Sequence, residues 1–421
     1  MTIRNKIWYS LGGSWLVAAA ALSGTQRTAP ERVALVGATV IDGTGAPPLP
    51  DATILVEGDS IVAVGPRTKV RVPADAKVVD LAGRWILPGF VDLHMHLTFP
   101  NDQSKDALQT NSDATVRAIS FMEQFLRKGI TSVRDVAAPI EPMQAIVRGI
   151  ADGSLESIRV FSVGQLITTT GGHGAGLRGA ITVDGPWAFR KAVRTMFDAG
   201  FRHIKLSPTY TPDEVAAAVD EAKTLGMQVT SHGGGLSDTW PRTTMTRIAV
   251  EAGVQCIEHL NQMDDDVLDL IATRGVHVVP TLAVYRELYR NHEMPAELLT
   301  ARKWSQQLHE DLFRKAHARQ ILMGIGTDAV SDLMRLYPGL YFTELEYFTS
   351  LGMTPMETLV AATRNGGIIL GNDRLGTLET GKLADLQVID RDPLQSLAAL
   401  GHPRLVMVGG RIHRFDPTEG R

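Results

Sequence analysis

Two histidines one residue apart, His94 and His96, close the apolar run "LPGFVDLHMHLTFP" at residues 87–100. Side chains two positions apart on a strand point the same way. Both imidazoles can therefore converge on one cation while Met95 points away. Imidazole and carboxylate suit zinc, and less decisively manganese, cobalt or nickel. Further polar residues end β-like runs: Lys205 in "HIKLS", His232 in "QVTSHG", His259 in "CIEHL" and Asp328 in "LMGIGTD". Each alone has a plain structural reading. A lone histidine is more often a hydrogen-bonded core residue than a ligand, a lone lysine is a surface residue, and Asp328 could cap a helix. In company, at the ends of successive strands, they read as one site. The lysine raises its own question, because an ammonium has no lone pair. Beside a metal it must be neutral or modified. Cys256 is the sole cysteine. It excludes a centre built from several thiolates and reads as a small core residue.

The elements that must position these groups alternate along the middle of the chain. Strand candidates are "FVDLHMH", "TSVRDV", "RVFSVG", "HIKLS", "QVTSHG", "CIEHL", "HVVPTL" and "LMGIGTD". Helical patterns lie between them. In "TPDEVAAAVDEAKTLG", Pro212 and Asp213 open the first turn and Gly226 closes the helix; "DDDVLDLIATRG" ends the same way at Gly275. Eight strands separated by helices predict a (β/α)8 TIM barrel over residues 87–375, with the six polar residues at the C-terminal strand ends where such barrels do chemistry. A doubly wound open sheet is the alternative, but no Gly-rich dinucleotide loop follows the first strand. The flanks at 24–86 and 376–421 alternate as short strands, for instance "ATILVEGDSIVAVGP" and "RLVMVGGRIHRF". They predict a small β-sandwich built from both ends of the chain.

Composition narrows the function. The 421 residues carry a net charge of −4 and no long basic run, which argues against a nucleic-acid partner. The N-terminus has Arg4 and Lys6 before an apolar stretch from Ile7 to Leu22, then Ala21 and Ser23 as small residues at a cleavage point. That is the pattern of a secretory signal peptide over residues 1–23, and it predicts export to the periplasm or medium without stable membrane insertion after cleavage. An uncleaved anchor is the alternative, disfavoured by the short span and by Gly12 and Gly13.

Taken together, "GFVDLHMHL", "HIKLS", "VTSHGG", "IEHL" and "GTDA" resemble the amidohydrolase superfamily of metal-dependent hydrolases, over roughly residues 32–415. The pattern is most similar to the branch holding Xaa-Pro dipeptidases, ochratoxinase-like amidases and imidazolonepropionase-related proteins. The resemblance implies two divalent metal ions, with zinc the first choice. It implies that His94 and His96 bind the more buried ion, and that His232 and His259 bind the second. Lys205 would be N6-carboxylysine, its carbamate bridging both ions. Asp328 would be a ligand and the catalytic proton carrier. The loop "TTTGGHGAG" at 168–176 resembles one near the active site of the dipeptidase-like branch, which makes His173 a candidate for carbonyl polarisation or substrate binding. Arg178 and Tyr210 are further candidates for holding a substrate carboxylate. His203 and Asp135 read equally well as structural or as groups that orient a neighbour.

The expected activity is hydrolysis of an amide-type C–N bond in a small molecule, such as an N-acyl amino acid or an Xaa-Pro-like dipeptide. Alternatives are a cyclic amide or imidazolone, a lactone, and, last, a non-catalytic scaffold. A homo-oligomer is compatible with the sequence. Two departures from the family pattern bear on the substrate: Gly233 stands after His232 where a larger side chain is expected, and "TRNGG" at 363–367 replaces an Asn-Pro-Ala-like ending.

Overall fold

The computed structural model describes residues 31–100, 103–234, 242–290, 305–329 and 336–415, so the expected signal peptide lies outside the described residues. The β-textured flanks meet as expected, in one sheet. From the N-terminal side come β1 (Arg32–Val40), β2 (Leu49–Glu57), β3 (Ser60–Pro66), β4 (Lys77–Asp80) and β5 (Trp85–Pro88). The sheet order is β17-β16-β15-β5-β1-β2-β3, with β4 paired to β1; β15 is Leu386–Ile389, β16 Leu405–Val408 and β17 Arg411–Arg414. The predicted sandwich is thus seen as a single hydrogen-bonded sheet. Alternation along β1 gives it two apolar faces: Val33 and Leu35 join one buried cluster, Ala34 and Val36 another.

The middle of the chain is α/β. Its first parallel sheet is β6 (Phe90–Met95), β7 (Ile130–Asp135) and β8 (Arg159–Ser162). Its second follows the order β10-β9-β11-β12-β13-β14: β9 is Leu166–Thr168, β10 Ala180–Thr182, β11 His203–Leu206, β12 Gln228–His232, β13 Cys256–Glu258 and β14 His277–Val279. The short strands β9 and β10 flank the loop that carries His173, where the sequence reading placed only a loop.

The last predicted strand, "LMGIGTD", joins the two sheets without a full ladder. Met323 bridges Val278, and Ala329 bridges Met95, both in parallel. Leu93 N–H donates to Ile325 O (2.9 Å) and Gly324 N–H to Val278 O (3.0 Å). Gly326 is needed in this join, because a Cβ there would come within 2.9 Å of His94 Cβ. Backbone pairing therefore runs β8-β7-β6, then residues 322–329, then β14-β13-β12-β11. At the two ends of that run, Phe161 on β8 and His203 on β11 meet ring edge to face, 6.1 Å apart.

Helices connect the strands: α1 (Asn111–Leu126), α2 (Ile140–Asp152), α3 (Pro186–Asp198), α4 (Pro212–Thr224), α5 (Arg242–Ala252), α6 (Asp265–Arg274) and α7 (Leu282–Arg290). The predicted start of α4 and the predicted end of α6 hold for physical reasons. Thr211 and Glu214 form a reciprocal capping box ahead of α4. Gly275 takes the left-handed conformation that ends α6 (φ 64°). One large apolar cluster packs strands against helices and includes Phe90, Phe125, Ile204, Val229, Ile257, Phe313 and Phe348. No helix among the described residues is long and apolar enough to cross a membrane.

Candidate metal centre

His94 lies in β6 and His96 just beyond it, so strand alternation turns both imidazoles to the same side as expected. Asp328 meets them from the join at 322–329. Its Oδ1 is 3.3 Å from His94 Nε2 and 3.2 Å from His96 Nε2. One ligand atom from each of these residues lies within 4.8 Å of the others, a group able to hold a metal ion. The Asp328 backbone is tied to the same strand, its N–H donating to His94 O at 2.7 Å.

The remaining histidines continue from this cluster as a chain of rings. His259 is 4.6 Å from His94, His232 is 4.3 Å from His259, and His173 is 5.0 Å from His232, centroid to centroid. His94, His232 and His259 are buried, whereas His173 is exposed above them on its loop. Phe99 stacks on His96 at 4.8 Å and walls that side. Lys205, near the end of β11, is buried at 3 % exposure.

Burial sets the charge states. It holds the His96, His232 and His259 imidazoles below the usual histidine range, hence neutral and with a lone pair to offer. Burial also pushes the Lys205 amine down to about 8, against the pull of the Glu258 and Asp328 carboxylates. For Asp328, burial raises the carboxyl, but His94, His96 and His259 together overrule it and hold it well below its ordinary value.

Whether these residues fit divalent ions can be judged from atoms left without partners. His232 Nε2 and His96 Nδ1 are buried and have no hydrogen-bond partner among the described residues. A buried polar atom normally has a partner, and losing one costs about 1–3 kcal/mol. A cation would satisfy the His232 nitrogen, and the donor set of imidazoles and carboxylate matches zinc-like ions. Backbone strain marks the same place. His259 (φ 71°) and Thr281 (φ 55°), past the ends of β13 and β14, and Asp328 (φ 48°), in the joining segment, all take the left-handed conformation. For non-glycine residues that is uncommon and costs on the order of 1–3 kcal/mol each.

That strain explains what alternation alone missed. Glu258 ends β13 and faces the interior, so His259 should face out. The left-handed turn at His259 brings it inward as well. Glu258 Oε2 then sits 2.7 Å from His94 Nδ1, and the Arg134 guanidinium and Thr230 hydroxyl donate to its other oxygen. The sequence signal was a carboxylate two residues along the strand from buried Cys256.

The other candidates separate. Tyr210 does not serve the mouth and is withdrawn as a carboxylate holder: it is 1 % exposed, and its hydroxyl pairs with Ser231 Oγ (2.8 Å) and Met245 O (3.3 Å). Ser231 precedes His232 on β12, so it faces the helix layer rather than the interior. Arg178 stands on the loop after β9. Its Nη2 bonds Asn111 Oδ1, while Nη1 has no hydrogen-bond partner among the described residues. His203 donates through Nε2 to Leu370 O (3.1 Å), at the other end of the strand from the centre. Asp135 accepts from Leu97 N (2.7 Å) and Ala137 N (3.1 Å), which fixes the turn after His96.

Gly233 has a packing cause. A Cβ there would lie 2.8 Å from Ile257 Cγ2 and 2.9 Å from both Glu258 O and His259 O. The larger side chain expected at this position has no room. In "TRNGG", a Cβ at Gly366 would collide with Val91, so that segment serves close packing against β6. A cleft of about 820 Å³ opens beside Thr44, Met323, Met353 and Asn365, at the start of the 322–329 segment and away from the imidazoles. It shares no residue with the cluster described above.

The chain is similar to several known proteins. Ochratoxinase of Aspergillus niger is 24% identical, with 89% of this chain and 85% of that protein covered. Imidazolonepropionase of Streptomyces coelicolor is 27% identical, with 81% and 85% covered. The crystal structure of a Xaa-Pro dipeptidase with methionine bound in its active site superposes with a TM-score of 0.81 at 25% identity, covering 91% of this chain and 100% of that one. The profile of the Amidohydrolase family matches residues 85–413. That span runs from β5 to β17 and includes every residue of the imidazole cluster. The chain belongs to the amidohydrolase family, and it is a hydrolase acting on carbon–nitrogen bonds.

Proposed function

We propose that the protein is a binuclear metal hydrolase on a closed (β/α)8 barrel, cleaving the amide bond of an N-acyl amino acid or an Xaa-Pro-like dipeptide. The observation that carries this reading is the convergence of His94, His96 and Asp328 within 4.8 Å, continued by the rings of His259 and His232. His94 and His96 would hold one ion and His232 and His259 the other. Lys205, as the carbamate, would bridge them. Two divalent ions, zinc first, would acidify a water and polarise the scissile carbonyl. Burial of Lys205 supports its assignment, because the neutral amine is the form that can add carbon dioxide.

The chain's own groups then divide the work. Asp328, ionised and within reach of three imidazoles, takes a proton from the attacking water on a carboxylate oxygen and returns it to the leaving nitrogen. His173, exposed over His232, offers a donor to the substrate carbonyl. Arg178 Nη1 offers a cationic donor to a substrate carboxylate. Phe99 and its stack on His96 exclude water from one wall.

The test is a screen of N-acyl amino acids and Xaa-Pro dipeptides with zinc-loaded protein. Amide turnover that vanishes in Lys205→Ala, together with bound metal, is the expected result. Turnover and metal content that survive Lys205→Ala would overturn the bridging carbamate. A second reading, cyclic-amide hydrolysis, is favoured by the likeness to imidazolonepropionase. It predicts turnover of imidazolones and none of open-chain amides; a lactone arm in the same screen covers the ester alternative. We also propose export, to be checked by whether protein recovered outside the cytoplasm begins near Gly24.

A further inference from the structure

We propose that Glu258 is a positioning residue for the centre: it acts through His94, orienting the imidazole so that Nε2 faces the cation, with Arg134 holding Glu258 in place. This rests on the binuclear reading above. The Glu258 carboxylate is fully buried at the end of β13. Its Oε2 lies 2.7 Å from His94 Nδ1. An ionised carboxylate only accepts, so His94 must donate its Nδ1 proton. The lone pair is then left on Nε2, the nitrogen that is 3.3 Å from Asp328 Oδ1 and points at the ligand cluster.

The support beneath Glu258 is itself anchored. Arg134 and Thr230 donate to Oε1. Arg134 Nε also donates to Leu93 O at 2.7 Å, on the strand that carries His94. Guanidinium, carboxylate and imidazole thus form one chain linking β7, β13 and β6. A buried carboxylate without the guanidinium would be an uncompensated charge. A carboxylate behind a ligand imidazole both fixes the tautomer and makes the ring a better donor to the metal.

His259 provides the contrast. Its Nδ1 meets a neutral hydroxyl, Thr281 Oγ1, at 2.6 Å. A hydroxyl can donate or accept, so it does not dictate which nitrogen keeps the proton. Removing the partner at 258 should therefore be felt more than removing the partner at 281.

The experiment uses the full chain, stripped of metal and titrated with zinc against a chromophoric chelator. Melting of the metal-free protein is the fold control. Histidine ¹⁵N shifts report the tautomer. Wild-type protein should bind two equivalents. Glu258→Gln should weaken one of them by about 10–100-fold, keep a cooperative melt, and lose the uniform Nδ1–H form of His94. Thr281→Val should weaken zinc by less than Glu258→Gln does. Unchanged zinc affinity and tautomer in Glu258→Gln, beside two equivalents in wild type, would overturn the role of Glu258 alone. Fewer than two equivalents in wild type would overturn the binuclear reading and this assignment with it. Should Glu258→Gln fail to fold, Arg134→Lys keeps the charge and loses the fork. It should then weaken the same equivalent in the same direction, and unchanged affinity there would likewise count against the proposal.

Discussion

His203 and Lys205 stand two residues apart on β11 and face the same interior, yet they meet opposite environments. His203, at the start of the strand, has a backbone carbonyl for its Nε2 proton, Leu370 O at 3.1 Å. Lys205, toward the end, is equally buried but lies among imidazoles and carboxylates. The same contrast holds for the backbone. At the opening of β6, Phe90 N–H is satisfied by Gly129 O at 2.9 Å, in ordinary extended geometry. Past the ends of β13 and β14, and within the 322–329 segment, His259, Thr281 and Asp328 are held in the left-handed region. At the opening end, His203 and the Phe90 N–H have backbone partners. The other keeps strained backbone and, among the described residues, imidazole nitrogens at His96 and His232 without a hydrogen-bond partner.

The contrast can be broken at its functional end first. Asp328→Asn keeps the shape but cannot accept the proton, and kcat on the best amide should fall by about 10²–10⁴-fold. Steady-state kinetics with metal content measured in parallel checks this; a loss below tenfold with full metal would remove Asp328 from proton transfer.

Next in size is a pH effect away from the centre. Burial pushes His309 down to about 3, so the fold prefers it neutral. The unfolded chain takes up that proton below about 6.5. Stability from this group is therefore full above about 6.5 and is lost as pH falls toward about 3, by a few kcal/mol in all. Denaturant melts of wild type and His309→Leu from pH 7 to 4 should converge as the pH drops. Parallel curves would mean that burial does not hold this imidazole neutral.

Smaller still is the cost of filling space behind the ligands. Gly233→Ala presses on Ile257 and on the carbonyls of Glu258 and His259. It should destabilise by roughly 1–3 kcal/mol and disturb zinc binding as well, since His259 is displaced. A neutral melt would show that β13 yields freely. Smallest is the self-satisfied end: His203→Gln should cost about 1 kcal/mol and leave kcat within twofold. If turnover collapses there, the two ends of the strands are not separable as described.

Much of this was legible beforehand because strand periodicity is strict. His94 and His96 could be paired by spacing alone, and the helix limits at Pro212 and Gly275 follow from cap chemistry. Tyr210 could not be placed from sequence, because only packing shows that its hydroxyl is spent on Ser231 and Met245. Gly233 was read as a change in the pocket, and it is a packing requirement of β13. Glu258 went unnoticed because alternation allows only one of two adjacent residues to face inward.

The sequence by itself determined which strand ends carry nitrogen and carboxylate, in what order, and hence the family. It could do so because a two-residue period and a handful of cap residues are local properties. The tertiary structure decided how those ends meet. A glycine at 326 lets the last segment reach β6, a left-handed turn at His259 admits Glu258 and His259 to one interior, and an arginine on β7 supports a carboxylate on β13. Such contacts join residues more than a hundred positions apart, and only the packed chain brings them within hydrogen-bonding range.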